Sequence, residues 1–122
     1  MPKTAPQCPM DAILRLLMGP WTTYIIWVLS DQGPHRFGAL KRAVPGISTR
    51  MLTERLRMLQ RAGVIWREQA ETTPPAVTYG LTPRGDELRS VLDGLGQIAK
   101  RWKADGVFDA EGMATQGPAK SH

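Results

Sequence analysis

Arg50, Thr53, Glu54 and Arg57 recur at i, i+3, i+4 and i+7, so a helix through them carries all four on one face. Each side chain suits the reading of a nucleic acid. Arginine offers a two-pronged donor for guanine, threonine a hydroxyl and a methyl, and glutamate an acceptor for the cytosine amino group. Ser48 and Thr49 come directly before them, where the free N–H groups at a helix start favour a phosphate. The plainer explanation of the same pattern is a solvated helix face. The other residue with chemistry of its own is Cys8, the sole cysteine, placed just ahead of a predicted helix start that suits a nucleophilic thiolate. A lone cysteine more often serves as a small inert hydrophobe. Without a second cysteine in the chain, an oxidised Cys8 can join only a partner subunit or a small thiol, and its remaining partner is an electrophile.

Several function classes are excluded or disfavoured by the same inventory. One cysteine forms no intrachain disulfide and no cysteine-based zinc site, and the two histidines, His35 and His122, are too scattered for a metal cage. No metal site and no cofactor is expected. A thiol-dependent enzyme built on Cys8 needs a histidine partner, and His35 is the only internal one. The N-terminus has no apolar run to serve as a signal peptide and no stretch is long and apolar enough to span a membrane, so a cytoplasmic protein is expected.

Charge singles out one part of the chain. The 122 residues carry a formal +5. Residues 34–67 hold Arg36, Lys41, Arg42, Arg50, Arg55, Arg57, Arg61 and Arg67 against Glu54 alone, a local +7, which leaves −2 for everything else. A concentration of this kind points to a polyanionic partner. A protein-binding module without DNA recognition, the main alternative, gains nothing from it.

The elements that must position these residues follow from the punctuation. Gly19-Pro20, Gly33-Pro34, Pro45-Gly46, Pro74-Pro75 and Pro83 divide the chain into five segments, with no internal repeat. Residues 9–18 place Ile13, Leu14, Leu17 and Met18 at helical spacing. Residues 21–29 are apolar almost all round, and Tyr24-Ile25-Ile26-Trp27-Val28 has strand propensity, but Pro20 suits a first helical turn and the segment is read as a buried helix. A short helix over 37–44 ends before Pro45. The next starts after Ser48 and runs to about Ala62, with Leu52, Leu56 and Leu59 as its core stripe and Gly63 just beyond its end. Residues 64–71 and 76–81 flank Thr72-Thr73-Pro74-Pro75 and read as a hairpin. The last helix takes Thr82 as N-cap and Pro83 at its first position. Leu88, Val91, Leu95, Ile98 and Trp102 then step by 3 and 4, a seam that packs helix on helix within or between subunits. The expected layout is one domain over 9–104, a flexible segment over 1–8 and a disordered tail over 105–122.

A short helix, a turn with Pro-Gly, an amphipathic helix with an outer cationic face and then a hairpin is the order of a winged helix-turn-helix: mainly α with a small β-hairpin wing. The major groove of DNA admits one such helix. Arg36 and Arg67 would then lie on phosphates, with Thr72 and Thr73 at the wing tip. The chain also resembles the HxlR-type regulators, which stand close to the MarR regulators. The resemblance is carried by Cys8-Pro9, Gly19-Pro20-Trp21-Thr22, Arg36-Phe37-Gly38-Ala39-Leu40, Pro45-Gly46-Ile47-Ser48, Leu52-Thr53-Glu54-Arg55-Leu56-Arg57-Met58-Leu59, Gly63-Val64-Ile65 and Tyr79-Gly80-Leu81-Thr82-Pro83-Arg84-Gly85. Gln60 and Trp66 depart from it, standing where charged residues are usual. The resemblance implies a homodimer on double-stranded DNA with a pseudo-palindromic operator. It implies dimerisation through the first and last helices, here Leu14 with the Leu88-to-Trp102 seam, and sensing of oxidants or electrophiles through Cys8. A small aromatic ligand among Trp21, Tyr24, Trp27 and Phe37 is a further partner to consider, although those rings more simply form core.

Overall fold

A computed structural model describes residues 8–108. Residues 1–7 and 109–122, which make up most of the two segments expected to be flexible, lie outside that range. The chain divides into two units, one ending at Glu87 and one starting at Leu88. The first holds α1 (Pro9–Leu17), α2 (Thr22–Gln32), β1 (His35–Arg36), α3 (Phe37–Ala43), α4 (Thr49–Arg61), β2 (Ile65–Ala70), β3 (Ala76–Leu81) and α5 (Pro83–Asp86); the second holds α6 (Arg89–Ala104).

The core of the first unit is aliphatic. Ile25, Ile26, Val28 and Leu29 of α2, Leu40 and Val44 at α3, Leu52, Leu56 and Leu59 of α4, and Val64 and Ile65 at the start of β2 are all buried. Burying each such side chain contributes about 1.5–3 kcal/mol. Full burial on several sides explains why α2 is helical despite its strand-like composition: tertiary packing outweighs a propensity scale that spans only ~1 kcal/mol. The helix starts two residues later than Pro20 would suggest. Gly19 to Thr22 form a turn closed by Thr22 N–H donating to the Gly19 carbonyl at 3.2 Å, with Trp21 left-handed at φ 72°. Proline at the second position and a left-handed third residue define a type II turn, where glycine is the usual occupant. A tryptophan there carries strain on the order of 1–3 kcal/mol.

The wing is larger than a hairpin. β2 and β3 pair antiparallel from Ile65 opposite Leu81 to Ala70 opposite Ala76, and β1 adds a third strand through His35 opposite Tyr79 and Arg36 opposite Thr78. His35 is therefore a strand residue. Two residues are too few for an alternation pattern, so the sequence had no signal for β1. Trp66 lies across Gly80 on the neighbouring strand, where a Cβ would collide with its indole. That packing gives the indole a partner across the sheet.

The last helix is broken where one continuous helix was expected. Thr82 caps α5, its Oγ1 accepting from Gly85 N–H at 3.1 Å. Glu87 then divides its N–H between the carbonyls of Pro83 and Arg84, each at 3.2 Å, and the ladder loosens before α6 begins. In α6, Leu88 and Leu92 are buried while Val91, Leu95 and Trp102 are exposed. Leu88, the N-cap residue of α6, is thus the buried member of the five-residue seam. Residues 105–107 close the end of α6. Gly106 is left-handed, Gly106 N–H donates to the Lys103 carbonyl at 3.0 Å and Val107 N–H to that of Trp102 at 2.9 Å, a Schellman closure of α6.

Candidate nucleic-acid interface

Everything about α4 follows from its two faces. At about 100° per residue, Leu52, Leu56 and Leu59 fall opposite Arg50, Thr53, Glu54 and Arg57. The leucines are fully or almost fully buried, whereas Arg50, Glu54 and Arg57 stand in solvent and Thr53 is half-buried. Ser48 is the N-cap, its hydroxyl accepting from Met51 N–H at 3.0 Å, and Thr49 is the first helical residue. Ser48 therefore serves the helix first, and its predicted phosphate role is shared with capping. Thr53 donates its hydroxyl hydrogen to the Thr49 carbonyl at 2.8 Å, which leaves its methyl and its lone pairs for another partner. Glu54 accepts from Arg50 Nε at 3.1 Å.

The far end of α4 is fixed as firmly as its start. Gly63 is left-handed, Gly63 N–H donates to the Gln60 carbonyl at 3.0 Å and Val64 N–H to that of Leu59 at 2.9 Å, and both Leu59 and Val64 are buried. Carbonyls at the C-cap and just beyond it find partners from elsewhere in the chain. Thr82 Oγ1 lies 2.5 Å from the Gly63 carbonyl and 3.0 Å from that of Val64, and Arg84 donates from Nη1 to the Ala62 carbonyl at 3.0 Å. One residue pins α4 from the side: Arg55 donates from Nε to the Pro20 carbonyl at 3.0 Å. Its angular position, roughly 140° from Arg50, sets it beside the core and away from the outer face. Arg55 and Arg84 hold the helix in place. A sequence pattern cannot separate such anchoring arginines from surface ones, since their carbonyl partners are 35 and 22 residues away.

A helix held at both ends with its polar face turned outward, preceded by α3 and a Pro-Gly turn and followed by a three-stranded wing, is the winged helix-turn-helix arrangement. The profile of the HxlR-like helix-turn-helix family matches residues 16–106. The chain belongs to that family. It is 34% identical to a helix-turn-helix transcriptional regulator from Synechocystis, over 91% of this chain and 82% of that one. Among solved structures it is similar to the reduced form of the transcriptional regulator YodB from Bacillus subtilis, with TM-score 0.68 and 36% identity, over 80% of this chain and 95% of that one. It is also similar to the redox regulator HypR in its oxidised form, with TM-score 0.71 and 31% identity over 77% and 96%. This chain is accordingly a transcriptional regulator of the HxlR type, related to the MarR regulators.

The remaining candidate residues of this HxlR-type chain surround α4 in sequence and fold. Arg36 is exposed at the junction of β1 and α3, where it is the N-cap residue and makes no side-chain capping bond. Arg67 is exposed on β2, its Nη2 3.4 Å from Gln69 Oε1. Thr73 is exposed at the tip between β2 and β3, beside Thr72, whose hydroxyl donates to the Pro74 carbonyl at 2.7 Å. Cys8 is exposed and is the N-cap of α1, its sulfur accepting from Asp11 N–H at 3.4 Å. Leu14 is exposed on α1, a helix with no buried residue, where Met10, Ile13 and Met18 are exposed as well. On α6, Val91, Leu95 and Trp102 are exposed and Ile98 is half-buried. Among the described residues no cluster of His, Cys, Asp or Glu could hold a metal ion, and no single helix is long and apolar enough to cross a membrane.

Proposed function

We propose that this chain is a homodimeric, sequence-specific DNA-binding regulator that enters the major groove with α4. One observation carries the reading: α4 buries its leucine stripe completely and leaves Arg50, Glu54 and Arg57 in solvent on the opposite side. Arg50, Thr53, Glu54 and Arg57 face the base edges, Ser48 and Thr49 the phosphate at the helix start, and Arg36, Arg67 and Thr73 the flanking backbone. Dimerisation is the reading of α1 and α6, each of which exposes large apolar side chains that a monomer leaves wet. Leu14 on one and Val91, Leu95, Ile98 and Trp102 on the other supply the contacts. A two-fold dimer then spans half-sites about 34–36 Å apart on a pseudo-palindromic operator.

Cys8 is the sensing group in this reading. Its thiolate adds to the carbon of an aldehyde C=O or an activated C=C bond: one S–C bond forms, the π bond opens and its electron pair takes up a proton from water, without turnover. The likeness to the redox regulator HypR and the exposure of Cys8 support that role. The sulfur also caps α1, so modification alters the start of a helix assigned to the dimer contact. The protein acts in the cytoplasm and is not an enzyme.

The test is fluorescence anisotropy of the reduced protein on its own upstream DNA and on a scrambled duplex across a salt series. Log K should fall with log[salt] by about 0.9 per phosphate neutralised on both duplexes. The upstream duplex should keep an advantage of roughly 10³ or more. Absence of binding to either duplex at low salt would refute the reading.

A further inference from the structure

An ion pair on α1 and another on α4 each join side chains one turn apart, and the two run in opposite directions. On α1 the acid comes first: Asp11, in the first turn, accepts from Arg15 Nε at 2.9 Å. That order suits the positive start and negative end of a helix. On α4 the base comes first: Arg50 Nε donates to Glu54 Oε2 at 3.1 Å, and the first turn carries no acid. The reversed order sets a cation against the positive end of the helix, and the pair is open to solvent, with the Arg50 side chain 90% exposed and that of Glu54 49%. An exposed pair in this direction gains little for the helix, so stability does not explain it. Nor does general attraction to DNA, because Glu54 is the sole acid in the basic stretch 34–67 and repels phosphate.

What the pair does accomplish is to hold one edge of a guanidinium. With Nε engaged by Glu54, Arg50 keeps its two Nη groups, and guanine is read by a fork of two donors. Thr53, on the same face and on the other side of Arg50, has already given its hydroxyl hydrogen to Thr49. We infer that Glu54 is a positioning residue for Arg50: its carboxylate holds Nε so that the Nη groups meet a guanine, and Glu54 does not itself read a cytosine. This rests on α4 being the groove helix.

The experiment is selection from a duplex library with a randomised centre, using the full chain and its Arg50→Ala, Glu54→Ala, Glu54→Gln and double Arg50→Ala/Glu54→Ala variants. Anisotropy on the selected duplex and its single-base changes supplies the ratios, and circular dichroism checks that each variant is folded. Arg50→Ala should erase preference at one position of the half-site, by roughly tenfold or more. Glu54→Ala should weaken preference at that same position by roughly threefold to tenfold, while binding to unselected duplex becomes tighter. Glu54→Gln, which keeps an acceptor oxygen, should recover part of the loss, and the double variant should be no worse than Arg50→Ala. Loss at a different position that Arg50→Ala leaves intact would overturn the inference in favour of direct reading by Glu54. No loss at any position would overturn it outright. Failure of the unaltered chain to enrich any sequence would overturn the groove-helix reading and this inference with it.

Discussion

Substituting alanine for two different glycines should move stability in opposite directions, and the structure says by how much. Gly85 and Gly96 both sit in helices, so on propensity alone either change to alanine gains about 1 kcal/mol. At Gly96 a Cβ meets nothing within 4 Å, and the propensity gain stands. At Gly85 a Cβ runs into the backbone carbonyl of Val64, with Leu81 Cδ2 a further 3.0 Å neighbour. A carbonyl at the start of β2 cannot rotate aside as a flexible side chain would. Overpacking of this kind costs about 1–3 kcal/mol. Shifting α5 away also strains the bond from Gly85 N–H to Thr82 and the single hydroxyl hydrogen that Thr82 shares between the Gly63 and Val64 carbonyls, at about 1 kcal/mol each. The steric and hydrogen-bond terms exceed the propensity gain, for a net loss of about 3 kcal/mol. For roughly 100 ordered residues each kcal/mol corresponds to about 4–8 °C. Thermal denaturation followed by circular dichroism, at one fixed protein concentration, should therefore show Gly85→Ala melting about 12–24 °C lower and Gly96→Ala up to ~8 °C higher. A Gly85→Ala protein that melts at or above the unaltered one would show that the corner between the wing and α5 is not packed as described, and the reasoning would fail. A fall for Gly96→Ala would place another backbone against α6 at that glycine.

Three further outcomes test the interface, the sensor and the dimer. Arg67→Ala should weaken binding to the upstream and scrambled duplexes alike and reduce the salt slope by about 0.9, since a phosphate contact carries no sequence information; loss confined to one duplex would make Arg67 a base reader. Cys8→Ser replaces the sulfur at the N-cap of α1 with an oxygen, a stronger acceptor, so its melting temperature should match or exceed that of the unaltered chain. Release from DNA by a reactive aldehyde should be abolished in the same variant, and unchanged release would dismiss Cys8 as the sensor. Leu95→Glu changes an exposed residue of α6, so helix content should persist while sedimentation equilibrium shows monomer; a dimer of unaltered affinity would remove α6 from the subunit contact.

Local order was readable from the sequence wherever a signal acts within a few residues. Ser48, Gly63 and the leucine stripe between them delimit α4 because capping, a left-handed exit and a 3.6-residue period are all local. Thr82 with Pro83 marks the start of α5 for the same reason. What escaped the sequence depends on partners far along the chain. β1 is two residues long and exists only because β3 accepts it as a neighbour. The break after α5 comes from one N–H shared between two carbonyls, which leaves no compositional trace. Trp21 takes a left-handed conformation that the sequence would assign to glycine, and the nearest atom to a Cβ placed on Gly46, 3.5 Å away, is on its ring.

The same distinction sorts the basic residues of 34–67, and it bears on function more than on fold. Periodicity correctly set Arg50 and Arg57 on the outer face of α4, yet charge alone counted Arg55 with them. The bond from Arg55 to the Pro20 carbonyl removes that residue from the DNA-facing set and makes it an anchor between α4 and the turn that links α1 to α2. Glu54 moves the other way. Its type suggested a base acceptor, whereas its Oε2 accepts from Arg50 Nε, and under the inference above the reading passes from Glu54 to the Arg50 that it holds. Local positive charge therefore overstates the surface available to DNA. The discrimination expected of α4 depends on how few of those cations are free to turn toward a base.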